Sequence, residues 1–295
     1  MKRVAVIGVG LLGTAVAERL LGGGFDVCGY DTRPRQIEML RFRGLRPARS
    51  VAEAVDGAEA VFTILPSLDA VESVYTDSDG LVDRAPRDAV LLQMSTISPP
   101  LARRLGEACA ARGLAFLDTP ISGTSSMVAR GDCTIYVGGE ATVAERCRPV
   151  FEAVAKKTAL IGPVGAATLA KLVTNLLVGL NTAALAEALV LGAKGGLAPA
   201  ALVPILRESA AGSRMLDVRG PLMAERTFTE PQMKLDLFLK DFHLMLDEGG
   251  RLGVPLPLTA LARELCTAAA ARGRGGQDIA AVITAFESMA GIGDE

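Results

Sequence analysis

The stretch VAVIGVGLLGTAVAERLLGGGFDVCGYD, residues 4–31, has the pattern of a strand, a glycine-rich turn, a helix and a second strand. Its first four residues form a β-branched apolar run that is too short for a helix. Gly8, Gly10 and Gly13 follow with the spacing G-x-G-x-x-G. In such a turn the first glycine permits the tight bend, the second lets backbone approach a pyrophosphate, and the third lets helix and strand pack closely. We therefore expect a dinucleotide site rather than a packing turn in another parallel α/β fold.

The end of the second strand supports this interpretation. The helix is predicted to begin near Leu11, so that its free N–H groups and positive dipole end face the phosphates. Asp31 ends the second strand, where an acid accepts hydrogen bonds from the adenosine ribose and repels a 2′-phosphate. These features predict NAD as the cofactor. Arg33 keeps NADP open as an alternative, because an arginine there could contact that phosphate.

Composition limits the remaining classes of function. The chain has 295 residues, half of them hydrophobic, and a net charge of −2. No basic block indicates nucleic acid or an anionic membrane as a partner. The five cysteines are scattered without a C-x-x-C pair, which argues against a metal site or a disulfide framework and favours a cytoplasmic location. The opening MKRVAVIG is interpreted as a first strand and not as a signal peptide.

The chain divides into two patterns. Residues 1–163 alternate strands and helices, which predicts a Rossmann-type, doubly wound and mostly parallel sheet. Residues 164–295 show helical periodicity and no convincing strand, which predicts an all-helical substrate and oligomerisation domain. A long apolar helix over residues 166–193 joins the two. Its interspersed lysines and asparagines argue against a membrane span and favour burial between domains or between the subunits of a homo-oligomer, a dimer or tetramer.

The predicted first domain contains more strands and one helix with clear ends. The helix covers residues 99–111. The further strands are predicted at residues 60–65, 89–93, 114–117, 134–137 and 158–161.

Ser95 and Thr96 follow the end of a predicted strand, where open α/β sheets bind ligands. A Ser/Thr cap on the helix that starts at Pro99 would explain such residues equally well. The two roles are compatible, because a capped helix N-terminus also donates to ligands.

A second segment, Ser122-Gly123-Thr124 with two further serines, combines backbone N–H and hydroxyl donors. Such a loop suits a carboxylate or another oxyanion, and thus a small acidic substrate. An ordinary surface loop would also be rich in serine and glycine.

Lys171 and Asn175 are four residues apart on the long helix and therefore share one face. An apolar environment favours the neutral amine, which can act as a general acid/base. The alternative is a lysine that extends its amine to solvent beside a polar neighbour. His243, the only histidine, is expected to be structural or exposed, so histidine is scarcely available as the proton partner of a hydride transfer.

Four ordered motifs together resemble the β-hydroxyacid dehydrogenase family, the 3-hydroxyisobutyrate dehydrogenases. They are the glycine-rich turn, a D-x-P-x-S-G loop at residues 118–123, a G-x-x-G-x-x-x-x-x-K-x-x-x-N helix at residues 162–175, and the late pair Lys240-Asp241. The resemblance spans nearly the whole chain. It implies an NAD(P)-dependent oxidoreductase that interconverts a small β-hydroxy acid and its semialdehyde or keto form.

The resemblance also implies roles for individual residues. Lys171 would be the acid/base and Asn175 would orient substrate and lysine. Ser122, Gly123 and Thr124 would hold the acidic head of the substrate. The implied cofactor contacts come from Leu11, Leu12, Leu65, Thr96 and Lys240, in addition to Gly8, Gly10, Gly13, Asp31 and Arg33.

The sequence departs from the family motifs at two positions, so the identity of the substrate head group stays open. Thr124 and Thr174 stand where many members have glycine and asparagine. The run GTSS is similar to sulfolactaldehyde reductases, but Gly123 stands where those enzymes have an arginine, and residues 209–228 are closer to tartronate semialdehyde reductases. A non-catalytic dinucleotide-binding protein and an imine reductase-like enzyme remain as alternatives on the same fold.

Overall fold

The computed structural model describes residues 1–293 and divides into two compact units, Met1–Lys171 and the chain from Leu172 onward. Residues 294–295 of the predicted second domain lie outside the described residues. The division falls inside the long helix, whereas the boundary expected from sequence, at residues 163–164, precedes that helix.

Within the described residues, the first unit contains one nine-stranded sheet in the order β3-β2-β1-β4-β5-β6-β8-β7, with β9 paired to β8. The strands are β1 (Arg3–Ile7), β2 (Asp26–Tyr30), β3 (Arg46–Pro47), β4 (Ala60–Thr63), β5 (Val90–Gln93), β6 (Ala115–Asp118), β7 (Ile121–Ser122), β8 (Thr134–Gly138) and β9 (Lys157–Gly162). Pairing is parallel throughout except where β8 meets β6 and β7. The predicted fold class is confirmed.

Helices cover both faces of this sheet, which explains why its strands are apolar on both sides. Along β1, Val4 and Val6 pack into one hydrophobic cluster, while Ala5 and Ile7 pack into the other. The helices are α1 (Leu11–Gly22), α2 (Pro34–Arg41), α3 (Val51–Val55), α4 (Leu68–Thr76), α5 (Leu81–Arg84), α6 (Pro99–Ala111), α7 (Ser125–Ala129), α8 (Ala141–Arg146) and α9 (Arg148–Val154).

The strand order reverses between β1 and β4, because β1 continues to β2 on one side while β4 and β5 extend on the other. Ligands of open α/β sheets bind in the crevice at such a switch point, outside the carboxyl ends of the strands. The glycine-rich turn follows β1, and Leu65 follows β4. The topology therefore places both predicted cofactor segments at the expected edge of the sheet.

Two short strands were missed from sequence, β3 and β7. Each has two residues, which is too short for the alternating pattern that identifies a strand. β7 begins three residues after β6 and pairs antiparallel with β8, so that the stretch carrying Ser122 is part of the sheet. The loop that the sequence predicts here therefore begins only after Ser122.

A long helix, α10 (Ala166–Lys194), begins in the first unit and continues into the second. It is long and apolar enough to cross a membrane by length and composition alone, a property that core helices share. Several of its polar side chains are buried in the protein, which a lipid-facing helix would not show. These side chains are Thr168, Lys171, Asn175 and Thr182.

The second unit is helical, as predicted. Its elements after α10 are α11 (Pro199–Glu208), α12 (Arg214–Glu225), α13 (Leu235–Leu252), α14 (Pro257–Ala269), a π-helical turn at Ala270–Arg274, a 3₁₀ helix at Ile279–Val282 and α15 (Ile283–Met289). Gly179 allows α13 to approach α10, because a Cβ at this position would lie 2.6 Å from Cζ of Phe242. Phe242 in turn packs edge to face on Phe238, with ring centroids 5.0 Å apart.

Candidate active site

Two of the three glycines after β1 are required by the packing of the protein itself. Gly8 has φ +93°, and a Cβ there would lie 2.2 Å from the carbonyl oxygen of Ile64. A Cβ on Gly13 would lie 2.0 Å from the carbonyl oxygen of Gly8. These contacts hold β1, α1 and the end of β4 at backbone distance, so no larger residue fits at either position.

Gly10 is different, because the protein leaves room for a side chain there. The nearest atom to a Cβ on Gly10 would be Nη2 of Arg33, at an ordinary contact distance of 3.5 Å. Gly10 is also the N-cap of α1, which has no side-chain cap and no acidic residue in its first turn. The helix thus presents N–H groups and its positive dipole end to the space beside Gly10, which a methyl group on that residue would occupy. This arrangement fits the pyrophosphate of a dinucleotide.

Asp31 ties this turn to the end of β2. Its Oδ2 accepts a hydrogen bond from the N–H of Val9 at 2.8 Å, and its Oδ1 accepts from the N–H and Nε of Arg33 at 2.9 and 3.1 Å. Burial acts to raise the pKa of Asp31, but the hydrogen bonds from Arg33 and Val9 outweigh burial and hold the pKa below its usual value. The side chain of Asp31 is therefore an ionised acceptor at the edge of the turn, with the largely exposed Arg33 folded over it.

Ser95 has a structural role that sequence analysis did not separate from ligand binding. Its hydroxyl accepts from the N–H of Leu65 at 2.9 Å, and its backbone N–H donates to Oε1 of Gln93 at 2.7 Å. These bonds fasten the end of β4 to the end of β5 and fix the backbone at Leu65. The cap of α6 is Ser98, which accepts from the N–H of Leu101. Thr96 lies between them and is half-buried.

The Ser122 segment is only partly a donor loop. Ser122 pairs with Thr134 across β7 and β8. Thr124 caps α7, since its hydroxyl accepts from the N–H of Met127 and lies 2.9 Å from the hydroxyl of Ser126. A Cβ at Gly123 would lie 2.8 Å from that of Cys133, so close packing alone requires this glycine. Ser122 is thus the better candidate for a substrate contact than Thr124.

Lys171 is buried in α10, with 6% of its surface exposed. Asn175, one turn further along the helix and also buried, donates from Nδ2 to Oδ2 of Asp241 at 2.7 Å. The other carboxylate oxygen of Asp241 lies 3.1 Å from Nζ of Lys240, within ion-pair distance. The late K-D pair therefore fixes the amide orientation of Asn175, a contact that sequence analysis did not predict.

Asp118 is a second buried acid whose contacts the sequence did not reveal. It begins the D-x-P-x-S-G motif, and its carboxylate is bonded to the first turn of α10. The motif singled out this acid, but no local pattern shows that its partners lie on a helix about 50 residues later.

The other chemical candidates contribute less. His243 lies on the exposed side of α13. All five cysteines are free and buried, and burial raises the pKa of the Cys109 thiol to about 12 and that of Cys133 to about 11. No cluster of three or more His, Cys, Asp or Glu side chains that could hold a metal ion occurs within residues 1–293.

The fold and the turn at Gly10 together define a dinucleotide-binding domain, and comparison with known proteins shows the class of enzyme to which it belongs. Residues 3–162 match the family described as the NAD binding domain of 6-phosphogluconate dehydrogenase. Residues 165–286 match the family described as the NAD-binding of NADP-dependent 3-hydroxyisobutyrate dehydrogenase.

Three individual proteins illustrate the similarity. The NAD-dependent L-serine dehydrogenase of Pseudomonas aeruginosa is 34% identical, with 99% of this chain and 100% of that protein covered. The 2-hydroxy-3-oxopropionate reductase of Escherichia coli is 33% identical, with 98% of each chain covered. The crystal structure of 3-hydroxyisobutyrate dehydrogenase from Salmonella typhimurium superimposes with a TM-score of 0.89 at 29% identity, covering 96% and 99% of the two chains.

The chain therefore belongs to the 3-hydroxyisobutyrate dehydrogenase family of β-hydroxyacid dehydrogenases, which confirms the resemblance found in its motifs. It is an enzyme of the NAD(P)-dependent dehydrogenase and reductase class. The non-catalytic and imine reductase-like alternatives are not favoured.

Proposed function

We propose that the enzyme interconverts a small 3-hydroxy acid and its semialdehyde or keto form, with Lys171 as the general acid/base. The observation that carries this proposal is the burial of Lys171 in an apolar helix, one turn before an asparagine whose amide is held by Asp241. Lysine is almost never fully buried unless its amine has a partner, so a buried lysine at this position marks a specific interaction. A lysine amine at this position can exchange a proton with the substrate hydroxyl as a general acid/base.

A nicotinamide dinucleotide held at the carboxyl edge of the sheet would supply the hydride chemistry of this reaction. During oxidation the neutral Lys171 amine takes the proton of the substrate hydroxyl and becomes an ammonium. During reduction that ammonium returns the proton to the forming alkoxide. Asn175 orients the reacting groups, because the bond from its Nδ2 to Asp241 holds the amide in one orientation.

The substrate proposed for this chemistry is small and acidic. Ser122 and the neighbouring backbone of Gly123 supply the donors for a carboxylate or similar head group. The chemistry named in two relatives, L-serine oxidation and 2-hydroxy-3-oxopropionate reduction, agrees with this class. Thr124 is also proposed as a substrate contact, although its hydroxyl already accepts a hydrogen bond as the cap of α7.

The proposed cofactor contacts follow the switch point of the sheet. They are the N–H groups of α1 at Leu11 and Leu12, the carboxylate of Asp31 on the adenosine ribose, and Leu65 and Thr96 after their strands. Lys240, on α13, is proposed as a cofactor contact from the family motif alone. We place the enzyme in the cytoplasm, where a pool of NAD(P) and a reducing environment suit its free thiols.

Replacing Lys171 tests the mechanism. We expect Lys171→Ala, and the longer Lys171→Met, to lower kcat by about a hundredfold or more while cofactor affinity changes little, as for loss of a general acid/base. Steady-state kinetics with L-serine, 3-hydroxyisobutyrate and 2-hydroxy-3-oxopropionate, in the appropriate directions, would identify the substrate and measure the loss. Lys194→Ala, at the exposed end of the same helix, is the matched control. Wild-type turnover in both Lys171 variants would exclude the mechanism.

The exposed side of α10 suggests a homo-oligomer, a dimer or tetramer. Leu169, Val173 and Leu177 follow one another at steps of four residues and are between 36% and 56% exposed. An apolar row of this kind is typical of a surface that is covered in an assembly. We expect light scattering to give a mass of at least twice 30.6 kDa, and Leu177→Glu to shift it towards one subunit. A monomeric wild-type protein would contradict this proposal.

A further inference from the structure

We infer that Asp118 is a positioning residue, whose buried carboxylate joins the strand carrying Ser122 to the first turn of α10 and thereby fixes the location of Lys171. This inference rests on the proposed role of Lys171. It assigns to Asp118 no contact with substrate or cofactor. All of the residues that carry it lie in the first unit.

The contacts of Asp118 are concentrated at the start of α10. Its Oδ2 accepts from the backbone N–H of Gly165 at 3.1 Å and from that of Thr168 at 2.8 Å. Its Oδ1 accepts from the hydroxyl of Thr168 at 2.5 Å. Neither Asp118 nor Thr168 is exposed to solvent. Asp118 therefore caps α10 from a distant strand, and satisfies N–H groups that a helix leaves open.

On the other side, the backbone from Asp118 to Ser122 has little freedom. Asp118 is in register with Gln93 on β5 and with Gly138 on β8. The N–H of Thr119 donates to the carbonyl of Gln93 at 2.7 Å, and Ser122 is paired with Thr134. A movement of Asp118 would therefore be transmitted to Ser122 through a continuous stretch of sheet.

The start of α10 is also closely packed on the sheet. A Cβ at Gly138 would lie 2.9 Å from the carbonyl oxygen of Pro163, and the N–H of Gly139 donates to the carbonyl of Gly162 at 2.8 Å. Lys171 comes three residues after Thr168 and is its neighbour on the helix surface. The bonds to Asp118 therefore determine the angle at which α10, with Lys171, leaves the sheet.

Stability alone does not account for an acid at position 118. Burial raises the pKa of Asp118, and the hydrogen bonds from Thr168 and Gly165 only partly oppose it. A carboxyl group with a raised pKa in the folded state is most favourable below its unfolded pKa, and this contribution is lost as the pH rises through the folded pKa. Folding therefore favours the neutral form of this side chain over the charged one, so the charge of an acid at position 118 does not by itself stabilise the fold.

Asparagine at position 118 could keep every bond. Its amide oxygen would accept from the two backbone N–H groups, and its NH₂ would donate to the hydroxyl of Thr168. We therefore expect Asp118→Asn to retain kcat within about threefold and to be at least as stable at pH 7. Asp118→Ala should lower kcat by about tenfold or more, because small displacements of a catalytic group are costly. The dissociation constant of NAD should change little in either variant.

A milder pair of variants covers the case in which Asp118→Ala does not fold. Thr168→Val removes the hydroxyl at constant volume and should lower kcat by about fivefold, with KM nearly unchanged, whereas Thr168→Ser should restore kcat to within about twofold. Thr182→Val is the matched control, because the hydroxyl of this buried threonine donates to the carbonyl of Val178 within the same helix. It should lower the melting temperature to a similar degree without changing kcat.

The decisive measurements are kcat and KM for the best substrate of the panel, NAD affinity by fluorescence titration, and melting temperature. The inference is supported if kcat falls in Asp118→Ala or Thr168→Val and recovers in the conservative variants. It is overturned if these two variants keep wild-type kcat, if Asp118→Asn is as impaired as Asp118→Ala, or if Thr182→Val loses kcat equally. A wild-type rate in Lys171→Ala would instead refute the proposed mechanism, independently of Asp118.

Discussion

Helices α1 and α10 begin in similar ways but differ in what satisfies their first N–H groups. Each follows a strand of the sheet through a glycine with a left-handed backbone, Gly8 at φ +93° and Gly165 at φ +92°. No side chain caps α1. The start of α10 is bonded instead to the buried carboxylate of Asp118.

The difference shows how one local geometry serves two purposes. A helix N-terminus presents free N–H groups and positive potential, which favour an anion. At α1 these groups remain available for an external anion, the pyrophosphate of the cofactor. At α10 an internal carboxylate occupies the same positions, which makes the helix start rigid and suits a helix that carries a catalytic lysine.

One methyl group at each turn tests this comparison, and we expect here the largest effects. Gly10→Ala should weaken NAD binding by about tenfold or more and leave the melting temperature nearly unchanged, because the added Cβ meets only Arg33 at 3.5 Å. Gly165→Ala should have the opposite profile. Its backbone has φ +92° and its Cβ would lie 3.2 Å from the carbonyl oxygen of Pro99, which predicts a loss of about 1–3 kcal/mol in the free energy of unfolding.

Isothermal titration with NAD and denaturant unfolding of both variants would measure the two effects. The comparison fails if Gly10→Ala binds NAD normally, or if Gly165→Ala, while folded, loses NAD affinity to the same extent as Gly10→Ala. The first result would mean that α1 does not receive the pyrophosphate. The second would mean that the start of α10 also acts on the cofactor.

The parts of the fold that sequence predicted are those encoded locally. The run from Val4 to Tyr30 contains its own strand, turn and helix signals, and α1 begins at Leu11 and ends at Gly22 as expected. The helix at Pro99–Ala111 has its proline and its following glycine within the same stretch. The short strands β3 and β7 exist because neighbouring strands offer them hydrogen-bond partners. A pattern of two residues cannot predict such partners.

The same distinction between local patterns and long-range contacts applies to the candidate site. The spacing of Lys171 and Asn175 follows from helical periodicity alone. Asn175 and its partner Asp241 are separated by 66 residues, and Asp118 and Thr168 by 50 residues. These contacts depend on tertiary packing, such as the approach of α13 permitted by Gly179. Sequence could therefore name the residues in the motifs and pair the neighbours Lys240 and Asp241, but it could not predict these long-range pairs.

Asp31 and Arg33 extend the comparison to the choice of cofactor at α1. Asp31 already accepts from Val9 and from three N–H groups of Arg33, so the Arg33 guanidinium must move aside before the carboxylate can accept from the ribose hydroxyls. Arg33 is largely exposed and bound to Asp31 by a surface ion pair, so releasing it costs little. The fixed carboxylate, and not the mobile guanidinium, should therefore decide between NAD and NADP.

The last predictions concern this preference, and the smallest effect among them is that of Arg33→Ala. We expect the wild type to use NAD with a kcat/KM about tenfold or more above that for NADP, since Asp31 repels the 2′-phosphate. Asp31→Asn keeps an acceptor for the N–H of Val9 but removes the charge, so the ratio of the two kcat/KM values should fall towards one. Arg33→Ala should lower kcat/KM for NADP by about threefold and leave that for NAD nearly unchanged. Steady-state kinetics with both cofactors test these predictions. If the wild type prefers NADP and Arg33→Ala abolishes that preference, Arg33 controls the pocket. The turn at α1 would then bind both the pyrophosphate and the 2′-phosphate of the adenosine.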